Sequence, residues 1–187
     1  TTVGNYTVTT ANGTLTVNPK AVTITAKDAS KTYDGSALTE GGFTATALEE
    51  GDTHTFTVVM TEGSTITNVG TQANVIATVD GVSVTTGTAT AVGNYTVTTA
   101  DGTLSIVARH VTVNVADAED VKYDGKEHEG VTTYTFSNVA EGDSASITYT
   151  AAKGTLVSTY TGSYGEDFAV ENSEGSDVTG NYVLDGK

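Results

Sequence analysis

The side chains able to do chemistry in this chain are carboxylates, a few imidazoles and some amines. There are 23 Asp and Glu, three His, eight Lys and Arg, and no Cys. Acidic residues gather in three loops: Glu49, Glu50 and Asp52; Glu141 and Asp143; Glu166 and Asp167. Clustered carboxylates are what a hard cation such as Ca2+ takes as ligands. None of these loops has the alternating ligand spacing of an EF-hand, so Ca2+ stays a possible cofactor while solvated loops are the plainer reading. His54, His110 and His128 stand apart, without a second His at metal-ligand spacing. A Ser-His-Asp set can be assembled on paper from any chain this rich in Ser and Asp, but no nucleophile-elbow motif accompanies one here. No catalytic residue, no cofactor-binding residue and no metal ligand is therefore assigned, and the chain reads as a non-enzyme.

Three further patterns have a chemical and a structural reading. Tyr33-Asp34-Gly35 and Tyr123-Asp124-Gly125 could stack a ligand on the ring. In the structural reading Tyr packs, Asp caps a turn and Gly takes positive φ. Occurrence of the motif twice favours that reading, since a repeated domain needs its turns every time. Lys20, Lys27, Lys31 and Lys122 lie near strand-like runs, and Gln72 is the sole Gln. Side-chain cross-links of the Lys–Asn or Thr–Gln type would draw on these, yet nothing picks out a reacting trio. Asn5-Tyr6-Thr7, Asn12-Gly13-Thr14 and Asn94-Tyr95-Thr96 fit the glycosylation acceptor pattern, but read better as strand and turn residues.

The elements that must position these residues are organised by repetition. Residues 92–104 are almost identical to residues 3–15, and Gly180-Asn181-Tyr182 is a weaker third copy. Asn5, Asn94 and Asn181 stand 89 and 87 positions apart, and a fixed period makes the repeat the structural unit. Asn12-Gly13, Asp101-Gly102 and Asp185-Gly186 have the chemistry of two-residue type I′ turns, so each copy reads as the start of a β-hairpin.

Composition agrees. Thr, Val and Gly dominate, with one Pro and no Trp. β-branched residues suit a pleated surface. Alternating runs at Val22–Ala26, Phe43–Leu48 and His54–Met60 return at Val111–Val115, Tyr134–Val139 and Ser146–Tyr149. No stretch carries a 3.6-residue apolar period. The pattern predicts an all-β chain: two tandem immunoglobulin-like β-sandwich repeats preceded by a stray β-hairpin. The boundaries are residues 1–17 (terminal hairpin of a preceding repeat), 18–107 (repeat A) and 108–187 (repeat B, lacking its last strand). The formal net charge of −15 argues against a nucleic-acid backbone as partner. No long apolar run is present to insert in a membrane.

Lys31 to Gly35, Gly51-Asp52 and Gly93 to Val97, followed by Lys122 to Gly125, Gly142-Asp143 and Gly180 to Val183, carry a resemblance. In order and spacing they resemble the tandem YDG/MBG-type repeats of bacterial surface adhesins, although Lys122 directly precedes its Tyr. The resemblance implies an extracellular protein, secreted and displayed on the bacterial cell surface or cell wall. It implies a stalk or spacer role in cell adhesion, and neighbouring repeats as partners. The alternative is a binding module in which repeat B, with Tyr134, Tyr149, Tyr160 and Tyr164, recognises a host protein or a glycan. Exposed tyrosines would favour that alternative, and packed ones the stalk. An open strand edge in repeat B further predicts strand-mediated contact between chains through residues 1–17.

Overall fold

The computed structural model describes residues 2–186, and among them the protein is all-β apart from one short 3-10 turn. Near the start, β1 (Thr2–Val3) and β2 (Tyr6–Thr7) form a small antiparallel hairpin. Residues 8–19 then run on without strand pairing, and residues 4–19 are exposed throughout. The expected turn at Asn12-Gly13 is not formed; the chain reverses at Gly4-Asn5 instead.

Residues 20–107 hold ten strands. They are β3 (Lys20–Ala26), β4 (Ala29–Thr32), β5 (Phe43–Ala45), β6 (Val58–Met60), β7 (Gly70–Asn74), β8 (Ile76–Val79), β9 (Val82–Ser83), β10 (Thr90–Val92), β11 (Tyr95–Ala100) and β12 (Gly102–Val107). One sheet runs β10-β11-β3-β5, a second β4-β12-β7 and a third β6-β8-β9. The first and third face one another across Val22, Ile24, Phe56, Ile76, Val79 and Val97, which form one buried cluster. The alternation seen in the sequence is the cause: β11 shows a strict buried/half-buried pattern, one face to the core.

Gly93-Asn94 is the two-residue loop of the β10-β11 hairpin, with Val92 opposite Tyr95. Gly93 has φ +56° and Asn94 does not share the positive sign, the signature of a type II′ turn. The hairpin expected at Asp101-Gly102 is not formed. There β11 leaves one sheet and β12 enters another, and the two do not pair. Gly102 is required for a different reason: a Cβ on it would stand 2.4 Å from the Lys27 carbonyl oxygen. The Asp-Gly pair that does make a two-residue hairpin is Asp80-Gly81 between β8 and β9, with φ +49° and +77°, as a type I′ turn demands.

Residues 109–185 hold β13 (Arg109–Asn114), β14 (His128–Glu129), β15 (Thr135–Ser137), β16 (Ser144–Ser146), β17 (Tyr149–Thr150), β18 (Lys153–Gly154), β19 (Ser163–Tyr164), β20 (Ala169–Glu171) and, after the 3-10 turn Thr179–Asn181, β21 (Tyr182–Asp185). The pairing of the first segment returns. β11 lies parallel to β3 with Tyr95 opposite Lys20, and β21 lies parallel to β13 with Tyr182 opposite Arg109. β5 and β15 flank the same strands on the other side. Among the described residues no counterpart of β12 is formed in this segment: β21 ends at Asp185. Asp185-Gly186, expected as a hairpin turn, has no second described strand to join.

Candidate functional site: the junction between the two segments

The residues that the sequence motifs single out meet at one place, where residues 20–107 give way to residues 109–185. Tyr33, at the end of β4, is 2 % exposed. Its backbone N–H donates to the Val107 carbonyl at 2.9 Å, and its own carbonyl accepts from Arg109 Nε at 2.7 Å. Its ring meets Tyr182 edge to face, centroids 5.4 Å apart. Around them Ile106, Val111, Ala140 and Val170 form one buried cluster that spans the segments, with Leu38 and Ile66 packed on it. Asn181 closes the rim: its Oδ1 accepts from the Val69 N–H at 2.7 Å and its Nδ2 donates to Asn68 Oδ1 at 3.0 Å.

The phenol of Tyr182 donates to Asp143 Oδ2 at 2.5 Å and accepts from the Ala140 N–H at 3.2 Å. Burial, then the Asp143 carboxylate, raises its pKa above the ordinary phenol range. Burial and Asp143 act on Tyr33 in the same direction. These phenols are thus held neutral, as hydrogen-bond donors rather than bases.

The same parts recur at the opposite end of residues 20–107, without a tyrosine inserted. Tyr95 donates to Asp52 Oδ2 at 2.7 Å, as Tyr182 does to Asp143. His54 lies against Tyr95 and Phe56 and bonds Asp80 Oδ2 at 2.8 Å. The His54 N–H, first, and the Tyr95 hydroxyl hold the Asp52 carboxyl below its usual range. Burial raises Asp80, but the Thr57 N–H and His54 outweigh it and the net shift is downward. Asn94, the counterpart of buried Asn181, is exposed. The result is a recess of about 560 Å³ lined by Asp52, His54, Asn94 and Tyr95.

The two Tyr-Asp-Gly loops are alike in backbone, with Gly35 and Gly125 both at φ +79°. Asp34 Oδ1 accepts from the Ser36 N–H at 2.9 Å, and Asp124 Oδ1 from the Lys126 N–H at 2.9 Å. The Lys31 ammonium and then the Ser36 N–H hold Asp34 well below the usual carboxylate range. Their tyrosines differ: Tyr123 is 65 % exposed.

The remaining candidates do not converge. His110 bonds Asp185 and His128 bonds Asp124, each alone on the surface. Among the described residues no three His, Asp or Glu side chains are placed to hold a metal ion. Lys20 pairs with Glu49 and Lys31 with Asp34, while Gln72 is exposed on β7. Asp167 accepts from the Thr148 N–H at 3.0 Å. Tyr134, Tyr149 and Tyr164 are half-buried and pack on one another, and Tyr160 is exposed. Sequence reading missed Asn181, Arg109 and the Tyr182–Asp143 bond. It also missed Asn74, fully buried, whose Nδ2 donates to the Lys27 and Glu40 carbonyls at 2.9 Å. The recurrence of Gly-Asn-Tyr was the available signal for two of these.

No family model, curated protein or solved structure matches this chain. No helix among the described residues is long and apolar enough to cross a membrane.

Proposed function

We propose that this chain is a run of tandem immunoglobulin-like β-sandwich repeats that serves as a stiff spacer in a bacterial surface adhesin, with no catalytic role. The observation that carries the reading is the apolar core shared across the junction by Tyr33, Ile106, Val111, Val170 and Tyr182. Adjacent domains move freely unless their interface is large and hydrophobic. A spacer needs the opposite, and a buried edge-to-face pair with a hydrogen-bonded rim supplies it. Repetition supports the same reading: a stalk asks for the same joint at each step, and Tyr33 and Tyr123 stand in like loops, as do Tyr95 and Tyr182. The packing of Tyr134, Tyr149 and Tyr164 on one another supports a structural use of the tyrosines of repeat B rather than a glycan-binding face. Surface display in bacteria rests on the resemblance of the motif order to adhesin repeats.

Small-angle scattering in solution tests the reading. A two-body rod whose profile does not change with Ca2+ is expected. A single compact globule, or a pair of bodies tumbling independently, would overturn it. Rigidity gained only with Ca2+ would move the function to the acidic loops.

A further inference from the structure

Three features of the surface are each the open counterpart of something filled inside the same chain. We propose that copies of this chain join head to tail. In this arrangement residues 13–17 of one copy enter repeat B of another as its missing central strand. Tyr123 of the receiving copy docks in the recess beside Tyr95 of the incoming one. The proposal goes beyond the spacer reading and does not depend on where the parent protein acts.

The template is β12. It lies between β4, to which it is parallel, and β7, to which it is antiparallel, with Leu104 opposite both Ala29 and Gln72. Leu104 is 0 % and Ile106 2 % exposed there. The residues 89 positions earlier are Gly13-Thr14-Leu15-Thr16-Val17, and there Leu15 is 91 % and Val17 87 % exposed. An apolar, β-branched strand in its extended form has been left without either neighbour.

Repeat B has the neighbours without the strand. Asp117-Ala118 corresponds to Asp28-Ala29 at the start of β4. Asp28 Oδ1 accepts from the Thr103 N–H at 2.7 Å, and Thr14 is the residue that corresponds to Thr103. A groove of about 590 Å³ opens between residues 117–123 and 152–160. Apolar side chains stand on it unburied: Val121 at 63 %, Tyr123 at 65 %, Leu156 at 71 % and Val157 at 91 %. A contiguous apolar patch beside an unpaired strand edge is a surface that recruits a strand.

The second contact is a consequence of the first. In the filled junction β12 runs into β13, and Tyr33 meets Tyr182 beside Asp143 and Asn181. Residues 13–17 run, through Asn18-Pro19, into β3. A copy seated through those residues thus presents Tyr95, Asp52 and Asn94 where Tyr182, Asp143 and Asn181 stand in the filled case. Tyr123 then takes the place of Tyr33. The same tether excludes closure within one chain, because only two residues separate Val17 from β3 and repeat A lies between that end and the groove. Such an interface is heterologous, so it propagates in open-ended rows rather than closing as a symmetric dimer. Both partners carry the same charge of −15, so screening by salt strengthens the association.

Gly13 supplies the decisive variant. Nothing lies within 4 Å of a Cβ built on it in the free chain, whereas its counterpart Gly102 would drive a Cβ into the Lys27 carbonyl. Gly13→Val therefore leaves the monomer intact and blocks the seat. Sedimentation velocity on the full chain, in a concentration series at low and high salt, is expected to show a mass that rises with concentration and with salt. Gly13→Val and Tyr123→Ala are each expected to weaken association roughly tenfold or more, with the monomer's melting curve unchanged. Because the chain has no Cys, a Leu15→Cys copy mixed with an Ala118→Cys copy is expected to give one inter-chain disulfide, the pair being the counterpart of Leu104 and Ala29. A monomer throughout the series, association indifferent to Gly13→Val, or no mixed disulfide would each overturn the proposal.

Discussion

Tyr33 and Tyr123 carry the same motif and the same loop geometry, yet one is buried and the other exposed. The physical cause is the neighbour each ring meets: Tyr33 has Tyr182 against it, and Tyr123 faces the open groove. The energetic consequence is asymmetric. Tyr33→Ala removes a buried aromatic from a core that cannot collapse around the gap, and is expected to cost about 3–5 kcal/mol. Tyr123→Ala in the monomer is expected to stay within about 0.5 kcal/mol. Chemical denaturation of the two variants checks this, and equal losses would contradict the shared core. The titrating residues give stability two limits. Tyr33, Tyr95 and Tyr182 have raised folded-state values, so their contribution is complete below the ordinary phenol pKa of about 10 and is lost as pH rises through the folded values. Asp34, Asp52, Asp80, Asp124 and Asp177 have lowered values. Their contribution is present above about pH 4 and is lost as pH falls through the folded values. With no Trp to interfere, phenolate absorbance is expected to show some of the nine Tyr ionising only as the chain unfolds. Nine phenols titrating in one reversible step would contradict the burial of these three.

At the scale of the element, glycines separate by mechanism. Gly81 sits in a type I′ turn with φ +77°, and Gly81→Ala is expected to cost about 1–2 kcal/mol through the left-handed conformation alone. Gly102 is in extended backbone, and Gly102→Val is expected to cost at least about 1–3 kcal/mol by overpacking against the Ala26 and Lys27 carbonyls. Gly13→Val, the same change in the same local sequence, is expected to leave the melting temperature of the monomer where it is. Thermal melts of the three variants separate turn strain from close approach. Strand positions were legible from alternation, because a half-buried strand needs apolar residues on one face only: β3 and β13 fall where Val22–Ala26 and Val111–Val115 indicated. The turns were less legible. Gly-Asn and Asp-Gly pairs both satisfy turn chemistry, and sequence cannot tell a hairpin from a strand that changes sheets, since Gly102 serves the second purpose with the residue type of the first.

At the scale of the molecule, the junction decides how the segments behave together. Asn181→Ala removes the acceptor of the Val69 N–H and the partner of Asn68 while leaving the aromatic core in place. It is expected to cost about 1 kcal/mol and to broaden the distribution of inter-segment distances seen in scattering. Tyr33→Ala should broaden it further and separate the unfolding of the two segments in calorimetry. An unchanged distribution in both variants would show that the junction is not what holds them.

The sequence by itself determined that the chain is all-β, where the strands begin, and that Gly-Asn-Tyr and Tyr-Asp-Gly mark recurring places in it. These rest on local physics: β-branched side chains, a two-residue period and the φ preferences of Gly, Asn and Asp. Tertiary structure alone decided partnership. Residues 6–15 and 95–104 differ only at Asn12 and Asp101, so propensity cannot distinguish them. Yet Leu15 is open to water and Leu104 is sealed. The difference comes from β3, β4 and β7, which pair with the second copy across tens of residues. A strand's burial belongs to the strands beside it, and those lie outside any window in which its own sequence is read.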